Sequence, residues 1–194
     1  MPDRFFAPNC PETGSVSLDG PEAHHLMHVL RISAGQRIEV FDGHGLVATA
    51  EVVAVRKRDV ELRIVTSRQE IPPSREVILG TAVPKGDRFD WLIEKATELG
   101  VTRIVPLITS RSSVDPRDSK LDKLRQTVIT ACKQCGRNHL LELSPVTPWA
   151  DFVRNEFPNR AVFIAHPSSD TSPLSFDGST LDPQPSTVFA IGPE

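Results

Sequence analysis

The stretch EVILGTAVPKGDRFDWLIEKATELGVTRIVPLI, residues 76–108, decides the fold class of this chain. It opens with a continuous apolar run, EVILGTAVP (76–84), which is typical of a strand buried on both faces. Residues 87–100 then show helical spacing, with Asp87 as a possible N-cap and Gly100 as a C-terminal stop. VTRIVPLI (101–108) is a second apolar strand. Strand, helix and strand in this order predict a parallel sheet with helices on its faces.

The alternation continues toward the end of the chain. DSKLDKLRQTVITACKQCG (118–136) repeats the helical pattern, and RAVFIAH (160–166) and STVFAIG (186–192) are two further apolar strands. Between these strands lies a Pro- and Ser-rich segment, residues 167–186, without periodicity. We expect this segment to be a surface loop.

Residues 1–72 read instead as β-rich. Two apolar, β-branched runs in 36–55 flank Asp42-Gly43-His44-Gly45, a hairpin signal with glycines available for positive φ. Residues 59–67 alternate apolar and polar side chains, and 20–35 suggest one short helix that starts after Pro21 and ends before Gly35. These elements predict a small barrel. Ile71-Pro72-Pro73-Ser74 is the best domain boundary.

Composition limits the class of protein. The 194 residues are 39% hydrophobic and 24% charged, which is ordinary for a globular protein. Three cysteines do not form a disulfide framework, and neither a signal peptide nor an apolar run of about 18 residues is present. We therefore expect a soluble, cytoplasmic protein with no membrane segment. Net charge is −3, yet residues 75–140 carry 12 Lys and Arg against 8 Asp and Glu, which permits a local phosphate-binding face or a set of ordinary solvated helices.

Two clusters invite a metal or redox interpretation. His24 and His28 share a helix face, but catalytic zinc needs at least three ligands and only Glu22 lies nearby in sequence. Cys132 and Cys135 stand late in a predicted helix, whereas a redox pair stands at a helix N-terminus. We expect no metal, structural cysteines, and histidines that pack or contact RNA phosphates.

The ends of the predicted strands are better candidates for a ligand site. Neither a phosphate-loop motif nor G-x-G-x-x-G occurs, which disfavours nucleotide hydrolysis and dinucleotide binding. Lys85 and Arg88 follow the first strand of the sheet, where open α/β folds bind ligands, and are candidates for grasping a polyanion. IAHP (164–167) and IGPE (191–194) are strand ends whose backbone groups suit a nucleoside.

Six short matches carry a family resemblance. They stand in the following order along the chain: RFF (4–6), HHLMHVLR (24–31), KGDRFDWLIEKATELGVTRIVP (85–106), ACKQCGRN (131–138), IAHP and IGPE. Together they resemble the RsmE family of 16S ribosomal RNA (uridine-N3) methyltransferases, of the SPOUT class. The resemblance implies a PUA-like RNA-binding β-barrel over 1–72 and a SPOUT domain with a trefoil knot over 75–194. It also implies a homodimer that uses S-adenosylmethionine to methylate N3 of a uridine in 16S rRNA of the small ribosomal subunit.

The resemblance also implies site residues. The cofactor would be bound by Ile164, His166, Pro167, Ile191, Gly192, Pro193 and Glu194. RNA would be bound by Arg4, His25, Arg31, Lys85, Arg88 and Arg137. Arg137 and Lys85 are the candidates for stabilising the developing uridine anion, and no residue is singled out as general base.

The end of the sequence departs from the family pattern. Relatives continue after IGPE with Gly-Gly, an acidic helix, a strand, an Arg-Ile-Leu-Arg loop and a final helix, and the sequence stops at Glu194. We therefore expect these 194 residues to lack part of the cofactor site and to bind S-adenosylmethionine poorly. The alternatives are a non-catalytic RNA-binding module and an unrelated α/β nucleotide-binding enzyme, the latter disfavoured by the missing phosphate-loop motifs.

Overall fold

The structure, a computed structural model, describes residues 3–110, 118–165 and 186–192, and their side chains except those of 118–122. The loop expected at 167–186 lies, but for Ser186, outside these ranges. The chain forms two compact units, one of Met1–Pro72 with Cys132–Leu140 and one of Pro73–Ala131 with Leu141–Glu194. The division into domains 1–72 and 75–194 stays a prediction.

The first unit is built on a five-stranded sheet of order β1-β3-β4-β5-β2. Strand β1 pairs with β3 in parallel, and the other pairs are antiparallel. Register shifts at Thr49/Ala50 and Val52/Ala54 interrupt the longest pairing and bend the sheet. The elements are β1 (Arg4–Phe6), β2 (Ser15–Leu18), α1 (Gly20–His24), a π-helical turn (His25–Val29), β3 (Arg37–Phe41), β4 (Leu46–Val55) and β5 (Val60–Gln69).

Two predictions for this unit are confirmed and one is refined. The hairpin turns at 42–45, and Val60 and Leu62 face the core as their alternation predicts. The predicted helix begins at Gly20, and its second half is the π-helical turn His25–Val29. Because Pro21 has no backbone N–H to lose, it suits the first turn of α1, and the helix starts just before it.

The second unit is built on a parallel sheet of order β10-β11-β6-β7-β8, with β9 also paired to β7. The parallel sheet with intervening helices that the sequence predicts is confirmed. The elements are β6 (Glu76–Ala82), α2 (Arg88–Glu98), β7 (Arg103–Ile108), α3 (Asp118–Cys135), β8 (Glu142–Leu143), β9 (Thr147–Pro148), α4 (Trp149–Glu156), β10 (Ala161–Ala165) and β11 (Ser186–Ile191). Helix α3 continues past Ala131, so that its last turn is counted with the first unit.

The two ends of α2 differ in how they are capped. Asp87 occupies the N-cap position but makes no side-chain hydrogen bond there. At the other end Gly100 adopts φ +86°, and its N–H donates to Thr97 O at 3.2 Å while Val101 N–H donates to Ala96 O at 3.0 Å. The glycine stop is therefore confirmed, because only the left-handed conformation lets these bonds close the helix.

Helix α4, which the sequence patterns do not predict, supplies the largest side chain of one core. Phe152 is fully buried and packs with a set of strand residues: Ile78, Val105, Leu107, Val188 and Ala190. A Cβ added at Gly80 would lie 2.2 Å from Phe152 Cζ. The glycine inside strand β6 thus marks the place where an aromatic ring lies on the sheet. No helix within the described ranges is long and apolar enough to cross a membrane.

Candidate cofactor pocket and RNA interface

The carboxyl ends of the parallel strands form one edge of the second unit, here called the strand-end edge: Ala82, Ile108, Ala165 and Ile191 with the residues that follow them. Strand β6 has β7 on one side and β11 on the other, so that the ends of these three strands are neighbours. Open α/β sheets bind ligands outside the carboxyl ends of the strands.

A cavity of about 710 Å³ opens at the strand-end edge. Its lining is mainly apolar: Ile108, Thr109, Ser110, Trp149, Ala150, Ile164, Ala165, Ala190 and Gly192. Trp149 is held at the start of α4 by the rings of Phe152 and Phe157, each 6.1 Å away between centroids. The cavity thus combines a fixed aromatic surface with the hydroxyl groups of Thr109 and Ser110, a lining that suits a flat ligand with a few polar groups.

A second cavity, of about 410 Å³, shares Gly192 with the first. It is lined by Thr81, Ala82, Val83, Pro84, Arg88, Trp91, Leu92, Ile191 and Gly192. Arg88 is thus placed at the strand-end edge, beside the end of β11, as its position after the first strand suggests. Lys85 is exposed in the loop that precedes α2.

The residues predicted to bind the cofactor fall partly inside these cavities. Ile164 and Gly192 line the first, and Ile191 and Gly192 line the second. His166, Pro167, Pro193 and Glu194 lie outside the described residues. Two residues that line the first cavity are missing from the predicted set, Ile108 and Trp149. Ile108 ends a predicted strand, so the sequence could have indicated it. Trp149 could not be predicted, because its helix lacks a recognised start signal.

In the first unit, three distant segments of the sequence meet. These are β1, the turn at His25 and the last turn of α3. The ring of Phe5 contacts the ring of His25 edge-on at 5.7 Å, and Lys133 Nζ lies 4.9 Å from the centre of the Phe5 ring. Lys133 Nζ also pairs with Glu22 Oε2 at 2.8 Å. The matches RFF, HHLMHVLR and ACKQCGRN, separate in the sequence, therefore form one cluster.

Arg4 is enclosed by protein groups in this cluster. Its Nη2 donates to the carbonyl of Arg137 at 3.2 Å and to Asn138 Oδ1. Its Nε lies 3.2 Å from Glu39 Oε1, and its Cζ lies 4.3 Å from the centre of the Phe41 ring. The side chain is 8% exposed, and this burial lowers the pKa of Arg4. Arg4 thus ties β1 to residues 137–138.

Residues Asn138–Leu140 pair with the hairpin loop Asp42–Gly45, and we call these two segments the clasp. Gly45 N–H donates to Asn138 O at 3.1 Å, and Leu140 N–H donates to Gly43 O at 2.9 Å. A Cβ at Gly45 would lie 2.6 Å from Cε1 of His139, within the clasp, and 2.5 Å from Glu70 O, so the clasp depends on the missing side chain. A hydrogen bond from the Asn138 side chain holds the pKa of Glu70 below its ordinary value.

The other predicted RNA contacts are divided between the two units. Arg137 is partly buried, which lowers the pKa of its guanidinium. Arg31 is exposed and has φ +52°, an uncommon conformation for a residue with a side chain. Arg4, His25, Arg31 and Arg137 belong to the first unit, and Lys85 and Arg88 to the second.

The histidine and cysteine clusters give no ligand set. The described residues contain no group of three or more His, Cys, Asp or Glu side chains that could hold a metal ion. The rings of His24 and His28 lie 4.5 Å apart. Cys132 is buried and Cys135 is exposed, and neither is in a disulfide bond.

The family models place this combination of an N-terminal sheet and a parallel sheet with a strand-end cavity among the RNA methyltransferases. The model of the RNA methyltransferase domain matches residues 71–194, and that of the RNA methyltransferase PUA domain matches residues 18–65. The chain therefore belongs to the RNA methyltransferase family, and within it to the RsmE group that its sequence resembles. The predicted fold class, a PUA-like part followed by a SPOUT-type sheet, is confirmed.

Three relatives show how far the similarity extends. Ribosomal RNA small subunit methyltransferase E of Bacillus subtilis is 28% identical in an alignment of 194 positions, which covers 94% of this chain and 75% of the relative. The crystal structure of the Neisseria gonorrhoeae enzyme of that name, bound to S-adenosyl methionine, has a TM-score of 0.84 at 28% identity and covers 100% of this chain and 80% of its own. A putative methyltransferase from Legionella pneumophila, in complex with the same cofactor, has a TM-score of 0.83 at 29% identity, with 100% and 81% covered.

Proposed function

We propose that the chain is an S-adenosylmethionine-dependent methyltransferase of 16S rRNA in the small ribosomal subunit, and that its acceptor is N3 of a uridine. The observation that carries this function is the cavity of about 710 Å³ at the carboxyl ends of β7, β10 and β11. The family assignment and the cofactor named for the two crystal structures support it.

The residues around this cavity fit the cofactor. Its volume lies within the range of about 300–1,000 Å³ that small-molecule sites occupy. Trp149 offers a flat apolar surface to an adenine ring, and the hydroxyl groups of Thr109 and Ser110 offer polar contacts. Ile164, near the end of β10, and Gly192, directly after β11, line the cavity, which supports their proposed role in binding the cofactor. Bound there, S-adenosylmethionine supplies an electrophilic methyl group on a sulfonium.

The chain's own residues bind and orient the RNA. N3–H of uridine is a weak acid, so a cation near the base favours its anion, and we assign this role to Arg137 and Lys85. The residues proposed to contact RNA phosphates are His25, Arg31, Arg88 and also Lys85 and Arg137, and such contacts fix the position of the duplex or loop without reading its sequence. The reaction then depends on positioning the acceptor nitrogen in line with the methyl group.

Tryptophan fluorescence tests the cofactor site. The chain has two tryptophans, so in a Trp91→Phe background Trp149 is the only reporter. Titration with S-adenosylmethionine is expected to change the Trp149 emission. A second variant, Trp149→Phe in the otherwise native chain, is expected to weaken binding measured by calorimetry. Binding of equal strength in this variant would place the cofactor elsewhere.

Methyl transfer separates the enzyme from the alternative RNA-binding module. Purified chain is incubated with small subunits and with S-adenosylmethionine labelled in the methyl group, and the modified nucleoside is identified by mass spectrometry. Label in N3-methyluridine supports the proposed reaction. Salt-dependent RNA binding without any transfer, also in a full-length relative carrying the same site residues, would favour the non-catalytic module.

We also propose that the protein is a homodimer. Trp91 and Leu99 of α2 are 64% and 84% exposed, although both are large apolar side chains. Such side chains are enriched where a second protein surface covers them. A monomeric mass in multi-angle light scattering at micromolar concentration would contradict the proposal.

A further inference from the structure

Arg4 differs from the other residues proposed to contact RNA, because its guanidinium is already occupied by protein. A phosphate contact requires an accessible guanidinium, and the Arg4 side chain is only 8% exposed. Its charge is partly balanced by Glu39, 3.2 Å away, and one face of its plane lies on the Phe41 ring. Direct contact with RNA is therefore a poor explanation for an arginine at this position.

The groups that Arg4 binds belong to another proposed RNA contact. Nη2 donates to the backbone carbonyl of Arg137 at 3.2 Å and to the side-chain oxygen of the next residue, Asn138. These partners lie 133 and 134 residues away in the sequence. Both bonds come from one nitrogen of a planar guanidinium, whose N–H groups have fixed directions, whereas a lysine ammonium is a compact charge on a flexible stem.

The backbone on both sides of Arg137 is also fixed. Gly136 ends helix α3 with φ +80°, and its N–H donates to Cys132 O at 3.0 Å. After Arg137, the clasp holds Asn138 and Leu140 to the hairpin loop, and Asn138 is 4% exposed. Arg4 is the side chain that bonds the carbonyl between these two fixed points.

We infer that Arg4 is a positioning residue: by holding the Arg137 carbonyl and the Asn138 amide, it sets the direction in which Arg137 presents its guanidinium to RNA. The inference rests on the proposed function, in which Arg137 contacts the RNA. It assigns to Arg4 an indirect role in RNA affinity, in place of the phosphate contact expected from the sequence.

Binding of deproteinised 16S rRNA over a series of potassium chloride concentrations tests the inference in the full chain. Arg137→Gln is expected to lower the affinity for RNA about tenfold or more, because it removes one charge-assisted hydrogen bond. It is also expected to reduce the slope of log affinity against log salt concentration by about 1. Arg4→Lys keeps the positive charge, yet it is expected to reduce the slope in the same way. The double variant is expected to bind no more weakly than Arg137→Gln alone.

Glu39→Gln is the matched control, because Glu39 lies against Nε of Arg4, whereas Nη2 bonds residues 137 and 138. It is expected to lower thermal stability and to keep the salt slope of the native chain. Circular dichroism verifies folding of each variant. If Arg4→Lys does not fold, Asn138→Ser, which removes the other acceptor of Nη2, is expected to reduce the slope in the same direction.

The outcomes separate the inference from the proposed function. Native slope and affinity in Arg4→Lys would overturn the inference alone. Additive losses in the double variant would also overturn it, since Arg4 would then contact RNA independently of Arg137. Absence of salt-dependent RNA binding by the native chain would overturn the proposed function and, with it, the inference.

Discussion

The strand-end edge of the second unit and the clasp of the first are both assembled from distant segments, but different forces hold them. The edge is supported by the apolar core of Phe152 and the strand residues around it, against which Trp149 also packs. In the clasp, backbone and side-chain hydrogen bonds join residues 42–45 to residues 138–140. Packing tolerates small shifts and depends on volume, whereas the clasp depends on particular donors, acceptors and backbone conformations. Substitutions should therefore damage the two regions in recognisably different ways.

The largest effect is expected from Phe152→Ala, which removes a fully buried ring from the sheet. Loss of a buried aromatic side chain costs about 3–5 kcal/mol of the free energy of unfolding, measured by urea denaturation. Gly80→Ala alone should cost about 1–3 kcal/mol, because its methyl group would meet the ring. In the double variant that clash is absent, so the combined loss should be smaller than the sum. Strict additivity would show that the ring does not constrain Gly80.

The clasp is tested by Gly45→Ala, with Gly14→Ala as its control. Both glycines have positive φ, +102° and +96°, so the conformational cost of about 1–2 kcal/mol applies to each. Only at Gly45 would the new Cβ also meet a backbone oxygen, Glu70 O at 2.5 Å, whereas nothing lies within 4 Å at Gly14. The free energy of unfolding should therefore fall by about 1–3 kcal/mol more for Gly45→Ala. Equal losses would contradict the close approach in the clasp.

The strand-end edge is also the region that the sequence predicts better. Each of its strands is a short apolar run bounded by glycine, proline or polar residues, and parallel strands necessarily bring their carboxyl ends to one edge. Ile164, Ile191 and Gly192 could thus be placed in a ligand site from local pattern alone. Trp149 could not, since α4 has only eight residues, begins after Pro148 and has no side-chain cap.

The clasp shows why the remaining contacts could not be predicted. No local period relates Arg4 to Asn138, and the ACKQCGRN match lies in a helical pattern that continues from the second unit. Its contacts with β1 and with the hairpin loop arise only when the chain returns to the first unit at Cys132–Leu140. The hairpin sequence predicts that Gly43 and Gly45 are turn residues. It does not predict that the missing side chains of these glycines also allow residues 138–140 to approach the loop closely.

The smallest expected effect concerns two carboxylates, one in each unit. Hydrogen bonds from Arg103, at 2.9 and 2.7 Å, hold the pKa of Glu156 below its ordinary value of 4.5. Since the folded pKa is the lower one, the unfolded chain binds more protons below about pH 5, and this stabilisation is lost as the pH falls through the folded value. Arg103→Gln should lower the free energy of unfolding by about 1.5–3 kcal/mol at pH 7, and by less at pH 3.5.

Glu70 of the first unit also has a lowered pKa, through Asn138, but its side chain is 42% exposed against 14% for Glu156. Glu70→Gln should therefore change stability by less than about 1 kcal/mol at either pH. Urea denaturation at the two pH values measures both variants, and a pH-independent loss for Arg103→Gln would mean that packing of its side chain, rather than the charge of Glu156, carries the effect.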